Sequence, residues 1–227
     1  MINMRKNISL FPLFTILIVW ITSCNNFTSA TPINTNYWWT LWLERPVCIS
    51  PCWQNITPGT TSIKEATIIL EKIPSVIITY EGKYGVSWVF EENKTDSGNI
   101  SISPDGIVSS IRLGNSSDKD LYLETVISSY GEPAYLVLYD CRALENSGEA
   151  MCATALVYPD TGLLIVIFLE DVGDMNNYKI NIQSDTIINS VILFQPGMKN
   201  FQNFPEFQEH NLLEWNGSST YSSDVQQ

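Results

Sequence analysis

The strongest constraint on the fold is a series of local sequence signals that occurs twice in the same order. Each series begins with an amphipathic helix pattern and a proline, and continues with strand-like runs around a turn that contains Pro-Asp and glycine. The prolines are Pro74 and Pro133, and the turns occupy residues 104–106 and 159–162. This ordered repetition predicts two similar structural units along the chain.

Both helix patterns carry boundary signals. Thr61 or Ser62 can cap the first helix, and Ser62 and Glu65 also have capping-box spacing. Ser117 or Asp118 can cap the second helix, and Gly131 can end it. Apolar residues follow each start at positions 63, 66, 69, 70 and 73, and 121, 123, 126 and 130. The strand-like runs cover residues 76–80, 86–91, 99–103, 107–113, 134–140, 152–158, 163–170 and 186–194.

These signals predict an α+β fold of two tandem helix-plus-antiparallel-sheet units, with the helices packed on one face of the sheet. The first unit is expected at residues 37–116 and the second at 117–195, followed by an aromatic tail at 196–227 whose end is disordered. Hydrophobic residues make up 44% of the chain and charged residues 16%, which is typical of a globular protein.

The N-terminus has the pattern of an export signal. Arg5 and Lys6 precede an apolar run at residues 8–21, which is short for a membrane span but has the length of a signal-peptide core. The sequence therefore predicts a signal peptide at residues 1–23.

A lipidation motif follows the apolar run. Ile21-Thr22-Ser23-Cys24 resembles the bacterial lipobox, whose small residues admit the signal peptidase and whose cysteine takes a diacylglyceryl group. Two or three acyl chains hold a protein on a membrane far better than one. We therefore expect a lipoprotein anchored through Cys24, a polar tether at residues 24–36, and a domain on the extracytoplasmic side.

Four cysteines remain after Cys24 and predict two disulfides, because an exported chain folds in an oxidising compartment. Three connectivities are open. The local pairs Cys48–Cys52 and Cys141–Cys152 are favoured, since the second pair could clasp a long hairpin. Their spacings suit neither a zinc site nor a C-x-x-C redox motif.

The charge argues against nucleic-acid binding. Without Arg5 and Lys6 the mature chain has 10 basic and 24 acidic residues, a formal charge of −14. Such a surface repels phosphate backbones, and no basic stripe offsets it.

Few residues suggest catalysis or metal binding. The single histidine, His210, lies in a polar and aromatic tail and is interpreted as a solvated residue. Glu170, Asp171 and Asp174 lack the alternating spacing of a calcium loop. We therefore predict no catalytic residue, metal or cofactor.

An aromatic segment is the better lead to function. Trp38, Trp39, Trp42 and Trp53 could stack on a sugar, anchor a protein partner or rest at the membrane interface. Alternatively, they cover the open end of the sheet. They are the candidate partner-binding residues.

Short motifs in both units carry a family resemblance. Ile56-x-x-Gly59-x-Thr61 before the first helix, and Gly131-x-Pro133 after the second, resemble the pattern of SmpA/OmlA-type outer-membrane lipoproteins. The β-lactamase inhibitor proteins carry the same unit in tandem. The resemblance implies helices on one face of an antiparallel sheet and a concave surface that binds another protein.

The sequence thus favours a membrane-anchored surface lipoprotein that binds a protein or a cell-envelope component without catalysis. Pro51-Cys52-Trp53 also resembles a segment of uncharacterised bacterial lipoproteins, which implies a location and no activity. The alternative is an envelope hydrolase that acts through carboxylates.

Lipidation can be tested at Cys24. Replacing Cys24 with alanine removes the acceptor thiol, so the protein should leave the membrane fraction or accumulate as the uncleaved precursor. Membrane fractionation with detergent partitioning measures this. A Cys24→Ala protein that is still processed and still partitions with detergent would contradict lipidation at this residue.

Overall fold

The computed structural model describes residues 39–44, 46–91, 94–114, 120–143, 150–169, 179–202, 204 and 212–222. All of them belong to the unit Asn36–Gln227. The predicted signal peptide, Cys24, the tether, Trp38, the acidic segment that begins at Glu170, and His210 lie outside the described residues.

The described residues form mainly β-strands. The strands are β1 (Val76–Gly82), β2 (Gly85–Phe90), β3 (Ser97–Ile102), β4 (Val108–Gly114), β5 (Leu121–Tyr122), β6 (Tyr135–Ala143), β7 (Ala150–Tyr158), β8 (Leu163–Leu169), β9 (Lys179–Ile182), β10 (Ile187–Ile188), β11 (Ser190–Phe194), β12 (Leu212–Glu214) and β13 (Ser219–Ser222). The α-helices are α1 (Ile63–Leu70), α2 (Leu123–Tyr130) and α3 (Met198–Gln202), and a π-helical turn spans Thr40–Glu44.

One antiparallel sheet of nine strands dominates the fold. Its order is β1-β2-β3-β4-β11-β8-β7-β6-β12. Two smaller ladders pair β10 with β5 and β13 with β9. The prediction of two α+β units is therefore wrong, because the strands of both predicted units lie in a single continuous sheet.

Strand β11 is the physical reason for this difference. It pairs with β4 on one side and with β8 on the other. Four of its five residues, 191–194, are buried, so the strand needs apolar cover on both faces as well as hydrogen-bonded neighbours on both edges. A run of this kind is typical of a central strand. The sequence showed the strand but not which strands it would join.

Both α1 and α2 contribute to one hydrophobic core on the inner face of the sheet. Leu70 of α1 and Val126 of α2 are fully buried there, together with Trp88 of β2 and Leu156 of β7. The helices do lie against the sheet, but they share one core instead of covering two separate sheets.

The helix boundaries follow the predicted signals in part. Ser62 caps α1, and its side chain and that of Glu65 form the predicted capping box. Gly131 is the C-cap of α2. However, α2 begins later than predicted, because Leu121 pairs with Ile188 in the β5–β10 ladder. The predicted caps at positions 117 and 118 lie outside the described residues.

The cysteines of the described chain are consistent with local pairing. A disulfide joins Cys48 to Cys52, with 5.6 Å between their Cα atoms. Cys152 is disulfide-bonded. It lies directly opposite Cys141 in the β6–β7 ladder. The side chain of Cys141 is outside the described part, so the Cys141–Cys152 bridge stays a prediction.

Substitutions in the two helices test the shared core. Val126 is fully buried, whereas Ile69 is half-buried and Lys64 is exposed. Val126→Asp should lower the free energy of unfolding by at least about 3 kcal/mol, because a buried carboxylate without a partner is strongly disfavoured. Ile69→Asp should cost less, and Lys64→Asp should stay within about 0.5 kcal/mol of the parent. Urea denaturation measures all three. Equal losses at the three positions would contradict the packing.

Candidate outer-face pocket

The outer face of the sheet changes from polar to apolar between β4 and β11. In one row across the strands, Asn99 lies opposite Arg112, which lies opposite Ile192. In the next row, Ser101 lies opposite Ser110, which lies opposite Phe194. Because side chains on one face recur at every second residue, these rows form a surface that is polar on β3 and β4 and apolar on β11.

A β-bulge increases the number of hydroxyl groups on this surface. Ser101 pairs with Ser110, but the next residue, Ile102, pairs with Val108. Ser109 is therefore an extra residue on β4, and both it and Ser110 line the outer face. Bulges of this kind redirect side chains and are frequent beside functional sites.

The turn between β3 and β4 is held in place at the end of this surface. The Ser103 hydroxyl has a single proton to donate, and it lies within hydrogen-bond distance of two acceptors, the Ile107 carbonyl at 2.9 Å and the Asp105 carboxylate. Gly106 has a φ of 81°, which glycine adopts without strain. Its carbonyl accepts a hydrogen bond of 3.0 Å from the N–H of Ile63, the first residue of α1. The turn is thus tied to a helix start.

Aromatic side chains form a wall on the β11 side of this surface. Phe194 is buried on β11, and its ring meets the Phe204 ring edge-on at 5.5 Å between centroids. Phe201 of α3 packs against Phe194 at 6.5 Å. The side-chain amide of Asn200 donates a hydrogen bond of 2.7 Å to the Pro196 carbonyl, within this same segment. Residues of α3 and Phe204 thus pack on the apolar part of the outer face beside β11, and Asn200 and Phe204 also line its boundary with the polar part.

A cavity of about 690 Å³, the outer-face pocket, lies between the polar surface of β3 and β4, which forms its floor, and this aromatic wall. Seven of its fifteen described lining residues carry hydroxyl or amide side chains, and the described lining also includes one carboxylate and one guanidinium. The polar lining residues are Asn99, Ser101, Ser103, Asp105, Ser109, Ser110, Arg112, Gln195 and Asn200. Its volume lies in the usual range for small-ligand sites.

The predicted aromatic site lies elsewhere and is largely buried. Trp42 is 2% exposed and stacks on Tyr130 at 5.5 Å, and Trp53 is 1% exposed and stacks on Trp88 at 5.2 Å. Both indoles belong to the hydrophobic core. Trp39 is half-buried against the same core.

Trp88, the residue on which Trp53 stacks, shows how tightly this region is packed. Trp88 lies opposite Gly98 in the neighbouring strand, and a Cβ on Gly98 would come within 2.1 Å of the indole. Burial also raises the pKa of Tyr130, against the smaller lowering effect of hydrogen bonds with Ser50 and Trp42. These features are those of a densely packed core.

The described ranges contain neither a cluster of metal-ligating side chains nor a membrane-spanning helix. No three His, Cys, Asp or Glu side chains there come together as a metal ion would require. No helix in the described part of the chain is long and apolar enough to cross a membrane.

The pocket residues were not singled out from the sequence. The polar residues Asn99, Ser101 and Ser103 do alternate along the β3 region, which is the one signal that could have indicated a polar outer face. The bulge at Ser109 and the wall formed by Phe204 depend on contacts between distant segments, so no local pattern announces them.

Comparisons with known proteins add little. No protein-family model matches the chain, and no curated protein matches it. Among solved structures, the chain is similar to a DUF4309 family protein (YjgB) from Bacillus subtilis subsp. subtilis str. 168. The identity is 12% and the TM-score 0.34, over 63% of this chain and 83% of that chain. DUF4309 is an uncharacterised family.

Proposed function

We propose that the protein is a lipid-anchored extracytoplasmic binding protein whose ligand site is the outer-face pocket. The observation that carries this proposal is the pocket itself, a cavity of about 690 Å³ with a polar floor and an aromatic wall. Ligand sites commonly combine apolar surface with a few convergent polar groups in this way.

Two features support a pre-formed site. The floor is a continuous ladder of β3, β4 and β11, so its side chains project from a hydrogen-bonded sheet. The turn that ends the floor is bonded to the start of α1. A site on rigid elements loses little conformational entropy when a ligand binds, which favours affinity.

The proposed location rests on the sequence. The lipobox-like Ile21-Thr22-Ser23-Cys24, behind a short apolar run, supports an anchor on the outer side of a membrane. A ligand for an anchored domain has to lie within reach of its tether. We therefore place the ligand among the proteins and other components of the cell envelope.

Blocking the pocket tests this function. Ser101 is exposed on β3 and lines the pocket, so Ser101→Trp should place an indole in the cavity and obstruct it, while tryptophan remains compatible with a strand. The detergent-solubilised mature chain should bind an isolated envelope fraction, and Ser101→Trp should weaken that binding at least tenfold by biolayer interferometry.

Thr220→Trp is the matched control. Thr220 is also an exposed strand residue, but it lies on β13 outside the pocket lining. Its substitution should leave envelope binding unchanged. Binding that survives Ser101→Trp, or that falls equally in both variants, would contradict the pocket as the ligand site.

A further inference from the structure

We infer that the ligand of the outer-face pocket is an uncharged oligosaccharide of the cell envelope. This inference rests on the proposed function and specifies the chemistry of its ligand. It depends on three properties of the described lining: its hydrogen-bonding groups, its aromatic wall and its charge.

The hydrogen-bonding groups suit sugar hydroxyls. Amide side chains offer both donors and acceptors, and serine hydroxyls do the same from a single atom. Asn99 and Ser101 are exposed on the floor, and Asn200 lies on the opposite wall. A sugar hydroxyl also donates and accepts, so each of these groups can be satisfied without a charged partner.

The aromatic wall suits the apolar face of a sugar ring. Phe204 is half-buried, lines the cavity, and is braced edge-on by the buried ring of Phe194. A braced aromatic ring provides a large contact area with few rotamers to fix on binding. The C–H groups of a pyranose can pack on this ring while its hydroxyls reach the polar floor.

The charge of the lining argues against an ionic ligand. Asp105 contributes −1 and Arg112 contributes +1, so the described lining sums to 0. The Asp105 carboxylate already accepts a hydrogen bond from Ser103. The whole chain carries −12, which repels anions, and the lining has no excess negative charge to select cations. A polar, neutral ligand fits these conditions best.

Two variants with matched controls test the inference. Isothermal titration calorimetry of the detergent-solubilised mature chain would use neutral tetrasaccharides of glucose and of N-acetylglucosamine as probes. Asn99→Ala and Phe204→Leu should each weaken binding of at least one probe about five- to tenfold, the effect of losing one hydrogen bond or one aromatic contact.

The controls keep the residue type, and the asparagine control also keeps the exposure. Asn181 is exposed on β9, and Phe168 is exposed on β8, and neither lines the pocket. Asn181→Ala and Phe168→Leu should bind the probe within about twofold of the parent. Thermal melts of all four variants establish that each one is folded. A folded Asn99→Ala or Phe204→Leu chain with parental affinity would overturn the inference.

Protease treatment of the envelope fraction distinguishes a failure of this inference from a failure of the proposed function. Envelope binding should survive digestion of the fraction with proteinase K, and the same tetrasaccharides should compete for it. If proteinase K abolishes binding and no probe binds or competes, the ligand is a protein and the inference fails while the proposed function stands. If no envelope fraction binds in a pocket-dependent way, the proposed function itself fails.

Discussion

The pairing of β11 with both β4 and β8 is the interaction on which the rest of the structure depends. Its buried run, residues 191–194, places Val191 and Leu193 in the inner core and Ile192 and Phe194 on the outer face. Hydrogen bonds on both edges join the strands that precede and follow it in the sheet. One strand thereby merges two sets of antiparallel strands into one sheet and lets α1 and α2 share one core.

The same strand creates the pocket. From β11 towards β6 the outer face is apolar and is covered in part by α3 and Phe204. From β4 towards β2 it carries Arg112, Asn99 and other polar side chains that water can solvate. Apolar side chains need cover from water, and the described residues of α3 and Phe204 supply it beside β11. The cavity lies at the boundary between the covered apolar part and the uncovered polar part of the outer face.

Local features of the fold were predictable because they depend on neighbouring residues. The capping box of Ser62 and Glu65, the C-cap at Gly131 and the turn at Gly106 all follow from short-range backbone chemistry. The division into two units failed because alternation along a strand reveals its faces and not its neighbours. The burial of Trp42 and the bulge at Ser109 likewise result from tertiary contacts.

Native-state hydrogen exchange in increasing denaturant tests the central claim, that β11 makes the nine strands one cooperative sheet. The account predicts that the amides of β4, β11 and β8 converge on one exchange curve, at the free energy of global unfolding. Exchange of the β1–β4 amides through a separate opening of lower free energy, with β6–β8 still protected, would contradict it.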